Sequence, residues 1–201
     1  MKTRKIILLS IPALILIAIL FNCSQSKEAG NFSDAAQKVY VAPGKYDEFY
    51  AFMSGGFNGQ ISVYGLPSGR LFKVINVFSQ NPETGYGYSE ETKAMLNTSY
   101  GFVPWDDAHH PELSQTNGIP DGRWIFINAN NTPRIARVDL KTFETSEIIE
   151  IPNSAGNHGS PFVTENTEYV VASTRFSVPV PNRDIEISSY KENFKGTLSF
   201  I

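Results

Sequence analysis

The chain has 201 residues, of which 41% are hydrophobic, 12% are aromatic and 18% are charged. This hydrophobicity excludes an intrinsically disordered chain, which needs low hydrophobicity and high net charge. The 17 basic and 20 acidic side chains argue against a nucleic-acid-binding protein, because such domains are usually basic. The single cysteine, Cys23, excludes a disulfide framework and any zinc or iron–sulfur site built from several cysteines of this chain.

The N-terminus has the order of parts of an export signal. Three basic residues precede an apolar run over residues 6–21, which is short for a membrane-spanning helix. No twin-arginine pair precedes the run, which favours export as an unfolded chain. Because the run ends beside Cys23, it resembles a bacterial lipoprotein signal, and we predict a signal peptide over residues 1–23 with lipidation at Cys23. An uncleaved anchor and cleavage without lipid remain the alternatives.

The residues after the signal are predicted to form a tether and then one folded domain. Residues 24–39 begin with a small, polar stretch and are expected to be the tether. Residues 40–201 are expected to be the domain. Without the signal, acidic side chains outnumber basic ones, so the predicted exported domain is mildly acidic.

From residue 40 onward, short β-rich runs alternate with turns rich in Gly, Pro, Asn and Ser. Two sets of three runs follow the same order, and a third set begins later in the chain. The runs are residues 49–53, 60–66 and 71–78 in the first set, 124–128, 134–140 and 146–151 in the second, and 169–176 followed by a run starting near residue 197 in the third. Repeated strand–turn–strand units are typical of a β-propeller, in which each unit is one blade.

The sequence therefore predicts an all-β fold, with about two and a half blades of a partial propeller over residues 40–201. Closed propellers typically have four or more blades, and the last repeat is cut within a strand, so we expect the chain to be a fragment of a longer protein. A small open sandwich is the alternative. Between the first two sets, residues 89–96 are predicted to form a short helix with Glu91 and Lys93 exposed.

Three histidines lie in segments that lead into predicted first strands: His109 and His110 before the second set, and His158 before the third. Equivalent loops of successive blades open at one mouth of a propeller, so we expect the three rings to meet there. Adjacent residues of a strand point to opposite faces, and we therefore predict that the His109–His110 pair lies in a loop. Asp106 is expected to face solvent.

Neutral imidazole is a ligand suited to copper, zinc, iron and nickel. Asp107 could hold the outward nitrogen of a ligating imidazole. The spacing of the histidines alone leaves two alternatives open, metal ligands and ordinary histidines of a loop or channel wall.

Several segments together resemble the N-terminal third of the nitrous-oxide reductase family, and the likeness covers about residues 40–201. The His-His motif in this blade context is specific to that family. The segments are Asp107-Ala108-His109-His110-Pro111, residues 121–128, residues 132–138, Ser54-Gly55-Gly56 with Gly59, Ile61, Val63, Gly65 and Pro67, residues 151–153 followed by His158-Gly159, and residues 179–182.

The resemblance implies a seven-bladed propeller whose hub holds a four-copper sulfide cluster bound by seven histidines. By match to the motif, His109, His110 and His158 would be three of these ligands, with Asp107 behind them. The other ligands, and a C-terminal cupredoxin domain with a two-copper centre, would lie beyond Ile201.

The implied activity is the reduction of nitrous oxide to dinitrogen and water in denitrification, a form of anaerobic respiration. The implied partners are a c-type cytochrome or a cupredoxin as electron donor and a second copy in a homodimer of the full-length protein. The chain alone is expected to be inactive, because it lacks most ligands and the electron-entry domain. We expect no nucleic-acid partner.

The predicted location is the periplasm, with membrane contact only through the signal or a lipid on Cys23. The alternative function is a metal-free exported propeller lipoprotein that acts as a binding module. That alternative predicts three histidines that are scattered, or buried with ordinary hydrogen-bond partners.

Overall fold

The computed structural model describes residues 34–81, 86–159, 161–180 and 184–201. The chain divides into two compact units, Met1–Ala42 and Pro43–Ile201. In the first unit, helix α1 (Asp34–Val39) lies within the segment predicted to be a tether. The predicted signal peptide and Cys23 fall outside the described residues. Among the residues described, none of the helices has the length and apolar character needed to cross a membrane.

The second unit consists mainly of short antiparallel strands, which confirms the all-β prediction. Its elements in chain order are β1 (Phe49–Ser54), β2 (Gln60–Leu66), β3 (Leu71–Asn76), α2 (Glu90–Ala94), β4 (Asn97–Thr98), β5 (Gly101–Phe102), β6 (Ala108–Thr116), β7 (Ile119–Ala129), β8 (Arg134–Asp139), β9 (Glu144–Glu150), β10 (Phe162–Val163), β11 (Val170–Ser173), β12 (Val178–Pro179), a 3₁₀ turn (Ile187–Ser189), α3 (Tyr190–Asn193), β13 (Phe194–Lys195) and β14 (Leu198–Phe200).

Three sheets contain most of these strands, each in an order that follows the chain. The first is β1-β2-β3, the second is β6-β7-β8-β9 and the third is β10-β11-β14. Two small pairs, β4-β5 and β12-β13, complete the described strands. The predicted helix is confirmed as α2, because the Ser89 hydroxyl accepts a hydrogen bond from the Thr92 amide and caps its first turn, and Glu91 and Lys93 are exposed.

The second and third sheets each begin one strand earlier than predicted. The additional strands are β6 and β10, which lie at the edges of their sheets. The sequence of β6 has no alternating apolar pattern, because it contains two histidines, a proline and several polar residues. Pro111 is tolerated within β6, opposite Ile127, because an edge strand has one side free of ladder hydrogen bonds.

Both faces of the second sheet are buried. Successive residues of β7 point to opposite faces, and each face packs in its own core. Ile125 and Ile127 pack in a core with residues of β2 and β3. Phe126 packs in a second core with Val170 and Ala172 of β11. The three sheets are therefore stacked face to face, and the first strand of the middle sheet, β6, contacts both β1 and β10.

A buried ion pair joins the loop before β6 to its neighbours. Asp106 is fully buried, so the expectation that it faces solvent is wrong. Its carboxylate lies 3.1 Å from the guanidinium of Arg134, which is also buried, and it accepts hydrogen bonds from the Thr132 hydroxyl and the Asn131 amide. The paired charge and these donors compensate for the loss of water around Asp106.

We predict that Asp106→Asn lowers the free energy of unfolding by about 3–5 kcal/mol, because it leaves the Arg134 charge buried without a counter-charge. Glu147→Gln is the matched control, since it removes one charge from an exposed pair, Arg137–Glu147, on the same sheet. The control is expected to cost less than about 1 kcal/mol. Urea denaturation of both variants measures the difference, and equal losses would contradict the assignment of Asp106 as a structural anchor.

Candidate metal centre

The structure brings the three histidines of the chain together. The ring centroids are 4.6 Å apart for His109 and His110, 4.4 Å for His109 and His158, and 5.0 Å for His110 and His158. One nitrogen from each ring forms a set whose members all lie within 4.8 Å of one another. Two separate parts of the chain, β6 and the segment between β9 and β10, therefore deliver imidazoles to one place.

His109 and His110 lie in strand β6, so the prediction that they lie in a loop is wrong. The pairing of β6 with β7 passes from Ala108 opposite Ala129 to Pro111 opposite Ile127, which leaves the two histidines opposite the single residue Asn128. This is a β-bulge, an extra residue that bends a strand and redirects its side chains. The bulge removes the strict alternation of faces and allows the two rings to lie side by side.

Two asparagines of the second sheet hold this end of β6. The side-chain oxygen of Asn128 accepts a hydrogen bond of 2.8 Å from the His110 amide. Asn130, just after β7, binds Asp107 twice: its amide donates to the Asp107 carbonyl at 2.9 Å, and its side-chain nitrogen donates to the Asp107 carboxylate at 3.2 Å. Neither asparagine was predicted from the sequence to be part of the site. The polar residue that ends the apolar run of β7 was the available signal for Asn128.

His158 lies in a turn that is fixed on both sides. The hydroxyl of Ser154 bonds to the side-chain oxygen of Asn157, and both residues are buried. The carbonyl of Gly156 accepts a hydrogen bond from the Arg175 amide. A Cβ atom on Gly156 would lie 3.3 Å from the carbonyl oxygen of Asn130, a tight contact, and Gly159 has a positive φ of 84°. The turn therefore needs small residues to place His158 close to the loop that holds Asp107.

The electrostatics of the cluster favour the neutral forms of His110 and His158. Loss of water around the ring lowers the pKa of His110, and the neighbouring His109 lowers it further. Burial also lowers the pKa of His158, with additional lowering by His109, Arg175 and His110, against an opposing effect of Asp107. A neutral imidazole is the form that binds a metal ion.

Nδ1 of His109 and Oδ1 of Asp107 are buried at the cluster and have no hydrogen-bond partner. Asp107 is almost fully buried, which makes an unpaired carboxylate oxygen costly. A metal ion bound by the imidazoles would satisfy a ring nitrogen, and a reoriented ring N–H would satisfy the carboxylate. The donor set and the unpaired atoms therefore fit a site for a metal that prefers nitrogen ligands.

We predict that His109→Gln raises the pKa of both His110 and His158 in the metal-free protein, because it removes the electrostatic effect of His109 that lowers both pKa values. Arg175→Met is the matched variant and is expected to raise the pKa of His158 alone. NMR titration of the ring Cε1–H signals measures both shifts. If His109→Gln leaves both pKa values unchanged, the rings do not interact as the structure indicates.

The same lowered pKa values set the direction of a pH effect. The folded-state pKa values of His110 and His158 lie below the ordinary value of 6.5. Protons therefore bind the unfolded chain more strongly, and the free energy of unfolding of the metal-free protein is expected to fall as the pH drops below about 6.5. Chemical denaturation at pH 7.5 and at pH 5.5 measures the effect, because these pH values lie about one unit above and below the ordinary histidine pKa. In His109→Gln the fall is expected to be shallower.

No family model matches the chain. Among curated proteins, it is 37% identical over 150 residues to the nitrous-oxide reductase of Stutzerimonas stutzeri and 38% identical over 150 residues to that of Pseudomonas fluorescens. Each match covers 74% of this chain and 23% of the relative. The nitrous-oxide reductase of Cupriavidus necator is 33% identical over 163 residues, which are 76% of this chain and 25% of that relative.

The chain thus spans about a quarter of the length of the curated relatives it matches. Several relatives of the same name match most of this chain at a consistent level of identity. By sequence, the chain belongs to the nitrous-oxide reductase family.

Proposed function

We propose that this chain acts as the N-terminal part of a nitrous-oxide reductase and that His109, His110 and His158 bind copper in it. The observation that supports the proposal most strongly is the meeting of three imidazole rings, with centroids 4.4–5.0 Å apart, in a chain similar to nitrous-oxide reductases. The proposed reaction is the reduction of nitrous oxide to dinitrogen and water in denitrification.

The proposed cofactor is the four-copper sulfide cluster that the resemblance implies. When bound, several reduced copper ions supply the two electrons that nitrous oxide needs to form dinitrogen and water. The three histidines of this chain would contribute part of the ligand set, and the remaining ligands and the two-copper centre would come from the part of such a reductase that this chain does not match. The chain by itself is then expected to be inactive.

The proposed role of Asp107 is to orient an imidazole. Its carboxylate is buried, Asn130 donates to one of its oxygens, and the other oxygen has no partner. A carboxylate that accepts the second ring N–H of a metal-binding histidine fixes the tautomer and the ring orientation. Asn130 would keep Asp107 in place while the ring rotates into that hydrogen bond.

The proposed architecture is part of a seven-bladed β-propeller. The stacking of three sheets and the contacts of β6 with β1 and β10 support this proposal, because the first strands of successive blades are neighbours in a propeller. In this arrangement β6 and β10 are equivalent strands, and the histidines lie at the start of β6 and in the turn before β10.

The proposed location is the periplasm, with residues 1–23 as the export signal and Cys23 as the site of a lipid anchor. The basic and apolar parts of that segment support the signal. The proposed partners are nitrous oxide, a c-type cytochrome or cupredoxin as electron donor, and a second copy in the full-length homodimer.

The alternative of a metal-free binding module has less support. It predicts histidines that are scattered, or buried with ordinary hydrogen-bond partners. The rings are instead adjacent, and Nδ1 of His109 is buried without a partner.

Copper binding by the full chain tests the ligand assignment. We predict that the Cys23→Ser protein binds Cu(I) anaerobically and that adding His109→Ala, His110→Ala or His158→Ala to it weakens binding by at least ~10–100-fold, the cost of losing even an outer-shell partner. A competing Cu(I) chelator measures the affinity. Cys23 is replaced because a thiolate binds Cu(I) strongly.

Met95→Leu in the same Cys23→Ser background is the control, since Met95, beside α2, offers a thioether that also binds Cu(I). It is expected to leave the affinity unchanged. Equal weakening by Met95→Leu, or unchanged affinity in all three histidine variants, would remove the support for the assignment. In the full-length protein, the same histidine variants are expected to lose copper and nitrous-oxide reduction together.

A further inference from the structure

Asn128 occupies a specific place in the bulge that presents the paired histidines. It is fully buried, and it is the single residue of β7 that faces both His109 and His110. Its side-chain oxygen lies 2.8 Å from the amide nitrogen of His110, and its side-chain nitrogen lies 3.4 Å from the carbonyl of Ala129. A side chain, instead of the backbone of the partner strand, therefore accepts the hydrogen bond of the bulged residue.

The bulge needs such an acceptor. An extra residue in one strand of an antiparallel pair leaves a backbone group without its ladder partner. A buried amide without a partner costs free energy comparable to a lost hydrogen bond. The alternative for the chain is regular pairing, in which His109 and His110 would alternate between the two faces of the sheet. The Asn128 carboxamide favours the bulged arrangement over the regular one.

We propose that Asn128 is a positioning residue that stabilises the His109–His110 bulge and so places both imidazoles on the side where His158 lies. The proposal rests on the proposed function for its chemical purpose, since it assigns Asn128 to the copper site. Its structural part, the protection of the His110 amide by Asn128, can be tested without metal.

The residue type is restrictive at this position. A carboxamide offers an uncharged acceptor that a buried site tolerates, whereas leucine has a similar size and no acceptor. Aspartate keeps the acceptor oxygen but adds a buried charge. Comparing asparagine, leucine and aspartate at position 128 therefore distinguishes the effect of the acceptor oxygen from the effects of side-chain size and charge.

Ser114 offers a matched control on β6, the strand that contains the histidine pair. It is fully buried at the second irregularity of the β6–β7 pairing, between Leu113 and Gln115. Its hydroxyl donates to the carboxylate of Asp121 and accepts from the Trp124 amide at 2.9 Å. Ser114→Ala therefore removes buried hydrogen bonds from β6 without touching the histidine pair.

The experiment uses the full chain with Cys23→Ser, in which Asn128→Ala, Asn128→Leu, Asn128→Asp and Ser114→Ala are compared. Hydrogen exchange of the His110 amide is measured by NMR in the metal-free proteins, and Cu(I) affinity is measured with a competing chelator. We expect Asn128→Ala and Asn128→Leu to speed exchange of the His110 amide at least ~10-fold relative to Ser114→Ala and to weaken Cu(I) binding ~10–100-fold.

Asn128→Asp is expected to restore protection of the His110 amide, because it keeps the acceptor oxygen, and to bind Cu(I) more tightly than Asn128→Ala. Ser114→Ala is expected to lose stability but to keep its Cu(I) affinity within ~3-fold, since an outer-shell partner of a metal site would cost at least ~10-fold. If Asn128→Ala does not fold, Asn128→Leu and Asn128→Asp give the same comparison.

Two results would overturn the proposal: unchanged exchange of the His110 amide in Asn128→Ala and Asn128→Leu, or equal loss of Cu(I) affinity in these variants and in Ser114→Ala. A parent chain that binds no Cu(I) at the three histidines would overturn the proposed function and the copper role of Asn128 together. In that case, faster exchange of the His110 amide in Asn128→Ala and Asn128→Leu would still identify Asn128 as the acceptor that stabilises the bulge.

Discussion

The arrangement of the second unit depends most directly on the buried residue Asp106 and its ion pair with Arg134. Its backbone amide donates to the Phe78 carbonyl after β3, and its carboxylate receives Arg134 at the start of β8 and the Asn131 amide between β7 and β8. One residue therefore ties the first sheet to the second and fixes the chain immediately before β6. Because Asp106 is buried with its counter-charge, the three segments move apart only at the cost of exposing or separating charges.

The candidate metal centre begins at the next residue along the chain. Asp107 is held by Asn130, and the bulge of His109 and His110 follows within β6. The anchor at Asp106 thus defines where β6 starts, and the bulge defines where the side chains of His109 and His110 point. His158 reaches the same place from the turn before β10, which approaches the Asn130 loop closely at Gly156. Precise placement of ligands requires this type of rigid support.

The sequence pattern was sufficient for those elements whose signal is local. Alternating apolar residues predict β2 and β8, and a capping serine with helix-forming residues is consistent with α2. The meeting of the histidines was also predicted, from their equivalent places in successive repeats. The strands predicted to be first in the second and third sheets are in fact β7 and β11, because β6 and β10 precede them. The histidines keep equivalent places because the shift is one strand in both repeats.

The features that were missed depend on contacts between distant segments. Asp106 looks like a surface residue until Arg134 is known to lie beside it, and a bulge cannot be read from one strand without the register of its neighbour. The role of Asn128 becomes visible only when the His110 amide is known to lie beside its side chain. Burial and register are properties of pairs of segments, and a single sequence shows each segment separately.

The third sheet consists of short strands, and His158 lies in the turn that leads into it. Its strands β10, β11 and β14 have two, four and three residues, so few backbone hydrogen bonds oppose local opening. An ion held by His158 and by the pair in β6 would act as a cross-link between this weak sheet and the stronger four-stranded one. Metal occupancy would then be coupled to the local opening of β10, β11 and β14, and the metal-free protein would expose these strands to proteases before the second sheet opens.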